Sequence, residues 1–202
     1  MPIRGRTNTA SALRADRVAL ARTFVALDFE TANRDPRSVC AIGLQRVHHG
    51  CLVHGVHRLV RPPPGPFSFT HVHGLTAADV RGAPSFGETW RAVVPLLRDA
   101  EFVAAHNAAF DRRVLRACCK AAGLELPRLG FECTMAWARA IWNPPRADLV
   151  SVSRMLGIPL AHHDPLSDAR ACAQVVLRVQ RLLRESAGRD GGHRRVPFTE
   201  PS

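Results

Sequence analysis

Short apolar runs rich in strand formers mark the first third of the chain, and apolar residues recur at helical spacing later. "TFVALDF" (Thr23–Phe29) is a run of strand-forming residues, and stretches at 39–47 and 51–60 read as two further strands. Gly50 falls between these two and predicts an antiparallel hairpin. "RPPPGPF" (Arg61–Phe67) ends the pattern, because proline donates no ladder hydrogen bond. Residues 85–98 read as a helix, "FVAAH" (Phe102–His106) as a short buried strand, and Asn107 to about Ala122 as a helix closed by Gly123. A weaker strand falls near 129–134, short helices at 135–142 and 148–156, and a long helix from Pro165 to about Glu185. No internal repeat occurs. Three strands followed by alternating helix and strand predict a single α/β domain over residues 21–185, with helices packed on a mixed sheet.

Composition narrows the class. A chain of 202 residues with 46% apolar content can bury one sizeable core. No uninterrupted apolar run approaches the roughly 18 residues that span a bilayer, so no membrane partner is expected. Residues 1–20 lack the apolar centre of a secretion signal; they are Arg-rich and acid-poor, as mitochondrial transit segments are, and read as a flexible extension. Residues 186–202, rich in Gly and Arg, read as a flexible tail, and the expected compartment is cytoplasmic. The six cysteines include no CxxC pair, which argues against a zinc ribbon or a dithiol redox site. Cys51, His54 and His57 do not make a metal site either, since positions three apart on a strand face opposite ways. The net charge of +11 comes almost wholly from arginine, with Lys120 the single lysine. Such a surface attracts polyanions, yet an arginine-rich composition produces the same charge without a nucleic-acid partner. Charge alone does not choose.

The acids do more. Asp28 and Glu30 end the first strand and, being two apart, share the face of Phe24 and Ala26. Neighbouring carboxylates near an apolar core repel each other and resist ionisation unless a cation stands between them. Asp111 follows the N-cap position Asn107 and heads the row Leu115, Cys118, Ala122 at helical spacing. Asp168 repeats the arrangement: Asp164 is a cap, Pro165 suits the first helical position, and the row continues through Cys172, Val175 and Val179. Each helix thus aims one acid from the top of a core-facing stripe. Four carboxylates and no sulfur ligand suit hard divalent ions, Mg²⁺ or Mn²⁺. Two such ions about 3.5–4 Å apart suit in-line displacement at phosphorus. A base is supplied by His163, on the loop before Asp168, with the adjacent His162 as its rival.

Three segments, "VALDFETAN", "AAHNAAFD" and "HHDPLSDA", resemble in order the three motifs of DnaQ-type, DEDDh-class 3′–5′ exonucleases, the superfamily of the polymerase III epsilon subunit. The resemblance runs from about Thr23 to Leu183. It implies a ribonuclease H-like fold, a five-stranded mixed sheet with helices on both faces, and two divalent cations held by Asp28, Glu30, Asp111 and Asp168. It selects His163 as general base and implies release of 5′-mononucleotides from a 3′ end. DNA is the expected substrate; the alternatives are the same chemistry on RNA, such as tRNA ends or short oligoribonucleotides, and a catalytically weak relative that binds nucleic acid or a partner. It also implies that Phe29, Thr31, Asn107 and Phe110 contact the terminal nucleotide. "HVHGLT" (His71–Thr76) resembles a further family segment and adds His73 and Leu75 near the terminal base. The C-terminal segment resembles no clamp-binding or polymerase-docking region, so a stand-alone or accessory enzyme is expected.

Overall fold

Strand β1 (Thr23–Thr31) forms the spine of a five-stranded sheet with β2 (Val39–His48), β3 (Cys51–Leu59), β4 (Phe102–Ala105) and β5 (Gly130–Cys133), in the order β3-β2-β1-β4-β5. The computed structural model describes residues 9–189. β1, β2 and β3 are antiparallel neighbours, whereas β4 and β5 join β1 in parallel. The β2–β3 turn is the two-residue loop His49–Gly50, both residues at positive φ, which matches the twist of the flanking strands.

The period of two in β1 divides the core. Phe24 and Ala26 pack beneath α1 (Thr9–Leu20), α5 (Thr134–Trp142), α6 (Leu149–Leu156) and α7 (Pro165–Arg189). Val25, Leu27 and Phe29 pack on the opposite face against α3 (Phe86–Val93) and α4 (Ala108–Ala121). A single turn, α2 (Thr70–His73), lies in the connection from β3 to α3. The helix predicted over 85–98 divides: Ser85 and Glu88 form a capping box that starts α3, and Val94–Leu97 continues as a 3-10 turn. Pro95 lacks the N–H needed to prolong the α-helix.

Residues 9–20, expected to belong to a flexible extension, instead form α1; residues 1–8 lie outside the described part. Two long-range contacts explain the difference. Arg14 and Arg17 both bind the fully buried carboxylate of Glu132 on β5, the Arg14 Nε–Oε2 distance being 2.8 Å. Gln180 of α7 donates to the carbonyls of Val18 and Ala21, and Arg184 to that of Ala19, satisfying groups that a helix end leaves open. Beyond Glu185, α7 runs on to Arg189, so the first residues of the expected tail are helical; the remainder lies outside the described part.

Gly43 sets how closely α7 approaches the sheet. It pairs with Asp28 across β1–β2, and a Cβ there would stand 2.0 Å from the Pro165 carbonyl oxygen and 2.5 Å from the Leu166 nitrogen. Backbone cannot swing aside as a side chain does. Gly43→Ala should therefore cost about 1–3 kcal/mol of stability, the usual range for overpacking, and urea denaturation would measure it. An unchanged midpoint would mean that the first turn of α7 is free to lift.

Candidate active site

The acids collect where β1 ends and α4 and α7 begin. Glu30 is 9% exposed and sits just before a register shift between Glu30 and Thr31, a bulge that breaks the regular pairing at the strand end. Asp28, one pleat earlier, is partly open. Asp111 and Asp168 occupy equivalent places in the first turns of α4 and α7 and are 2% and 3% exposed. The stripes below them, Leu115 and Cys118 in one helix and Cys172, Val175 and Val179 in the other, are buried. Burial of those rows fixes the rotation of each helix and so points its acid inward.

The start of α7 is closely specified. The Asp164 side chain accepts the Ser167 N–H at 2.7 Å, and the Asp164 carbonyl accepts the Asp168 N–H at 2.9 Å. His163, immediately before, adopts a left-handed φ of 68°. This turn sets its Nδ1 3.5 Å from Glu30 Oε1 and lets its N–H donate to Asp168 Oδ2. His162 points elsewhere, with Nδ1 3.0 Å from Asp168 Oδ2, and the two rings stack at 3.8 Å. His57 of β3 approaches Asp164 at 3.8 Å from the outer side.

At α4 the expected cap does not form. Asn107 occupies the N-cap position in a left-handed conformation, φ 64°, and its side chain makes no capping hydrogen bond. The tight passage from β4 into α4 demands positive φ, which Asn tolerates better than most residues. Its amide is exposed, its carbonyl accepts the Phe110 N–H at 2.9 Å, and the Phe110 ring carries the Arg113 guanidinium at 5.7 Å.

Burial dominates the electrostatics, and repulsion among the acids adds to it. Burial, then Asp111, Asp168 and Glu30 in turn, holds the Asp28 carboxyl well above the ordinary carboxylate range. Burial and Asp168 push Glu30 up to about 8. Burial pushes Asp111 up to about 8, although the N–H groups of Asp111 and Phe29 partly offset this. Asp168 is raised less, because His162 and the His163 N–H counter its burial. The His163 imidazole is lowered by burial and by His162 and His73.

Do these residues suit cations? One carboxylate oxygen from each of Asp28, Glu30 and Asp168 lies within 4.8 Å of the others. The buried Oδ1 atoms of Asp111 and Asp168 have no hydrogen-bond partner. Unpaired buried oxygens cost free energy unless something positive is bound, so the set fits hard divalent ions.

The remaining predicted contacts divide. Phe29 is corrected: its ring is 3% exposed and packs in the core 6.4 Å from Phe86, since it lies on the strand face opposite the acids. Thr31 is 5% exposed, and its carbonyl accepts a hydrogen bond from His73 Nε2 at 3.2 Å. The other ring nitrogen of His73 accepts the Leu75 N–H, so the imidazole ties the α2 segment to β1 and has no nitrogen left for a base. Leu75 is half-buried against the small cluster of Ala32, Cys40 and Val80. Sequence reasoning passed over Gly43, although an isolated Gly inside a strand signals a close backbone approach. It also passed over a chain of contacts behind the acids: His106 bonds the Ala147 carbonyl and Thr134, and Thr134 reaches Cys172 at 3.6 Å. Nothing local in the sequence marks that chain.

Sheet order and inward-facing acids define a nuclease-type α/β domain. Comparison with known proteins makes this specific: residues 25–176 match the model of an exonuclease domain family, the RNase T type. The chain is 33% identical over 168 residues to the PolC-type DNA polymerase III of Thermotoga maritima, covering 81% of this chain but only 12% of the polymerase. Among solved structures, exonuclease X in complex with 5′-overhanging duplex DNA superposes with a TM-score of 0.60 at 23% identity, covering 82% of this chain and 93% of that one. The nuclease domain of 3′hExo, a DEDDh family member bound to rAMP, superposes with a TM-score of 0.66 at 16% identity, covering 80% and 93%. The chain belongs to the DnaQ-like exonuclease family, and its five-stranded mixed sheet is the ribonuclease H-like fold of these structures. No described helix is long and apolar enough to cross a membrane.

Proposed function

We propose that this chain is a 3′–5′ exonuclease that hydrolyses the terminal phosphodiester bond of single-stranded DNA and releases 5′-mononucleotides. The observation that carries the reading is the grouping of the Asp28, Glu30 and Asp168 carboxylates beside the His163 imidazole, with the buried Asp111 close enough to act on Asp28 and with unpartnered buried oxygens on Asp111 and Asp168. Asp28, Glu30, Asp111 and Asp168 would hold two Mg²⁺ or Mn²⁺ ions. When bound, these supply Lewis-acid chemistry, making water more acidic and offsetting charge on the departing 3′ oxygen.

The side chains contribute the rest. His163 accepts the proton of the attacking water, and Glu30 at 3.5 Å, ionised where cations are bound, would stabilise the imidazolium that results. Asn107 offers its free amide, and Phe110 an aromatic face, to the terminal nucleotide. His73 and Thr31 shape the base pocket from behind by pinning the α2 segment, while Leu75 offers the apolar contact. The arginine-rich surface draws in the phosphate backbone, so binding should weaken with added salt.

RNA is the second reading, supported by the fold shared with an exonuclease solved with rAMP. One assay separates them: strands of DNA and RNA, each labelled at the 5′ or the 3′ end, are incubated with Mn²⁺ or with EDTA. The expected result is immediate release of 3′ label as mononucleotide from DNA, faster than from RNA and abolished by EDTA. Loss of 5′ label first would reverse the polarity, and hydrolysis in EDTA would remove the cation-dependent reading.

A further inference from the structure

The paired imidazoles beside the acids face different partners, His163 towards Glu30 and His162 towards Asp168. Yet one nitrogen from each ring and one oxygen of Asp168 all lie within 4.8 Å of one another. Asp168 is 3% exposed, and its Oδ1 has no hydrogen-bond partner. The imidazole side chains are 39% and 35% exposed, so the fourth side of the group opens to solvent. Two ring nitrogens, one carboxylate oxygen and an open position are the donor set of a four-coordinate zinc ion. This differs in kind from Asp28–Glu30–Asp168. Imidazole suits zinc, whereas an all-carboxylate set suits Mg²⁺ or Mn²⁺. Asp168 belongs to both groups.

We propose that His162, His163 and Asp168 form a second, zinc-selective site whose occupation switches the exonuclease off. Zinc here takes Asp168 from the carboxylate group and ties up the His163 lone pair, so that neither serves hydrolysis. Zinc–nitrogen bonds of about 2.0–2.1 Å place tetrahedral donors about 3.3 Å apart. His162 Nδ1 and Asp168 Oδ2, at 3.0 Å, are already that close, and a separation near the 4.8 Å limit must close by up to about 1.5 Å. Both rings ride on the turn ahead of α7, outside regular structure, and can make that movement while Asp168 stays anchored in the helix. His162 is the distinguishing ligand, because hydrolysis as proposed above does not call on its ring. Zinc capture stands on this geometry alone; inhibition rests on the exonuclease reading.

The test titrates Co²⁺, then Zn²⁺, into substrate-free wild type, His162→Gln and Asp28→Asn proteins. Wild type should show the intense visible absorption of tetrahedral cobalt, displaced by one equivalent of zinc. His162→Gln should weaken zinc binding at least about tenfold, and Asp28→Asn should retain it. In parallel, zinc should inhibit Mg²⁺-supported hydrolysis by wild type, with the inhibitory concentration raised about tenfold in His162→Gln relative to that variant's own zinc-free rate. Equal zinc affinity in wild type and His162→Gln, or its loss in Asp28→Asn, would place zinc among the carboxylates and overturn the proposal. Zinc binding without inhibition of an active wild type would overturn the switch. Tetrahedral cobalt in a wild type that hydrolyses nothing would uphold the site and sink the exonuclease reading instead.

Discussion

Asp28→Asn lowers kcat by about 10³-fold or more and, in the same protein, raises the melting temperature in EDTA at pH 8. The first effect follows from removing a ligand charge worth about 4 kcal/mol of barrier, each 1.36 kcal/mol being tenfold in rate. The second follows from burial of the charged carboxylate first, and then from repulsion. Asp28 stands under the fields of Asp111, Asp168 and Glu30, and the Glu30 and Asp111 carboxyls are pushed up to about 8. An unfolded carboxylate titrates near ~4. Between those values the folded metal-free protein binds more protons than the unfolded chain, so its stability falls as pH rises from about 4 to about 8. Replacing one acid by a neutral isostere relieves part of that loss. The gain should be roughly 0.5–2 kcal/mol, the size common where function is exchanged for stability. It should be present at pH 8 and small at pH 4, where the neighbouring acids are already protonated. Melting in EDTA at both pH values checks this. Added Mn²⁺ should stabilise wild type at pH 8 far more than Asp28→Asn. A variant that is inactive but also less stable would point to disrupted packing rather than lost cation binding.

The second large effect belongs to His163. His163→Ala should slow turnover by about 10²–10⁴-fold while leaving KM near the wild-type value, since the ring moves a proton rather than gripping substrate. Wild-type kcat should fall on the acid side with an apparent pKa below the ordinary histidine value, because burial and the two neighbouring imidazoles depress it. Protonation of the base removes activity, so the loss comes as pH falls through that value. The variant should lack this limb. His162→Ala is the control: its ring bonds Asp168 Oδ2 and does not face Glu30, so it should cost far less. If the two variants rank the other way, the base is His162.

Why was so much of this legible in the sequence? The periods that bury Leu115 and Cys118 in α4, and Cys172, Val175 and Val179 in α7, also fix where Asp111 and Asp168 point. Period and direction are local properties, readable from spacing alone. The same alternation in β1 puts Asp28 and Glu30 on one side and sends Phe29 into the opposite core, which a motif-wide assignment of substrate contacts overlooked. Helix α1 was not legible, because what holds it is Glu132, 115 residues from Arg17 in the chain and fully buried on β5. The Asn107 cap failed for a related reason: backbone geometry at the β4–α4 junction overrode the residue's usual side-chain preference. His73 shows the limit from another side. Its place in the sequence suggested a base contact, and only the tertiary structure reveals that both ring nitrogens are spent on Thr31 and Leu75.

A crystal grown with Mn²⁺ and a 5′-mononucleotide tests the central claim most directly, through anomalous scattering at the manganese edge. The account predicts two adjacent peaks ringed by the carboxylates of Asp28, Glu30, Asp111 and Asp168, with the nucleotide's phosphate against them and His163 alongside. Absence of manganese from that ring while the nucleotide is bound, or manganese held only elsewhere on the protein, would contradict it.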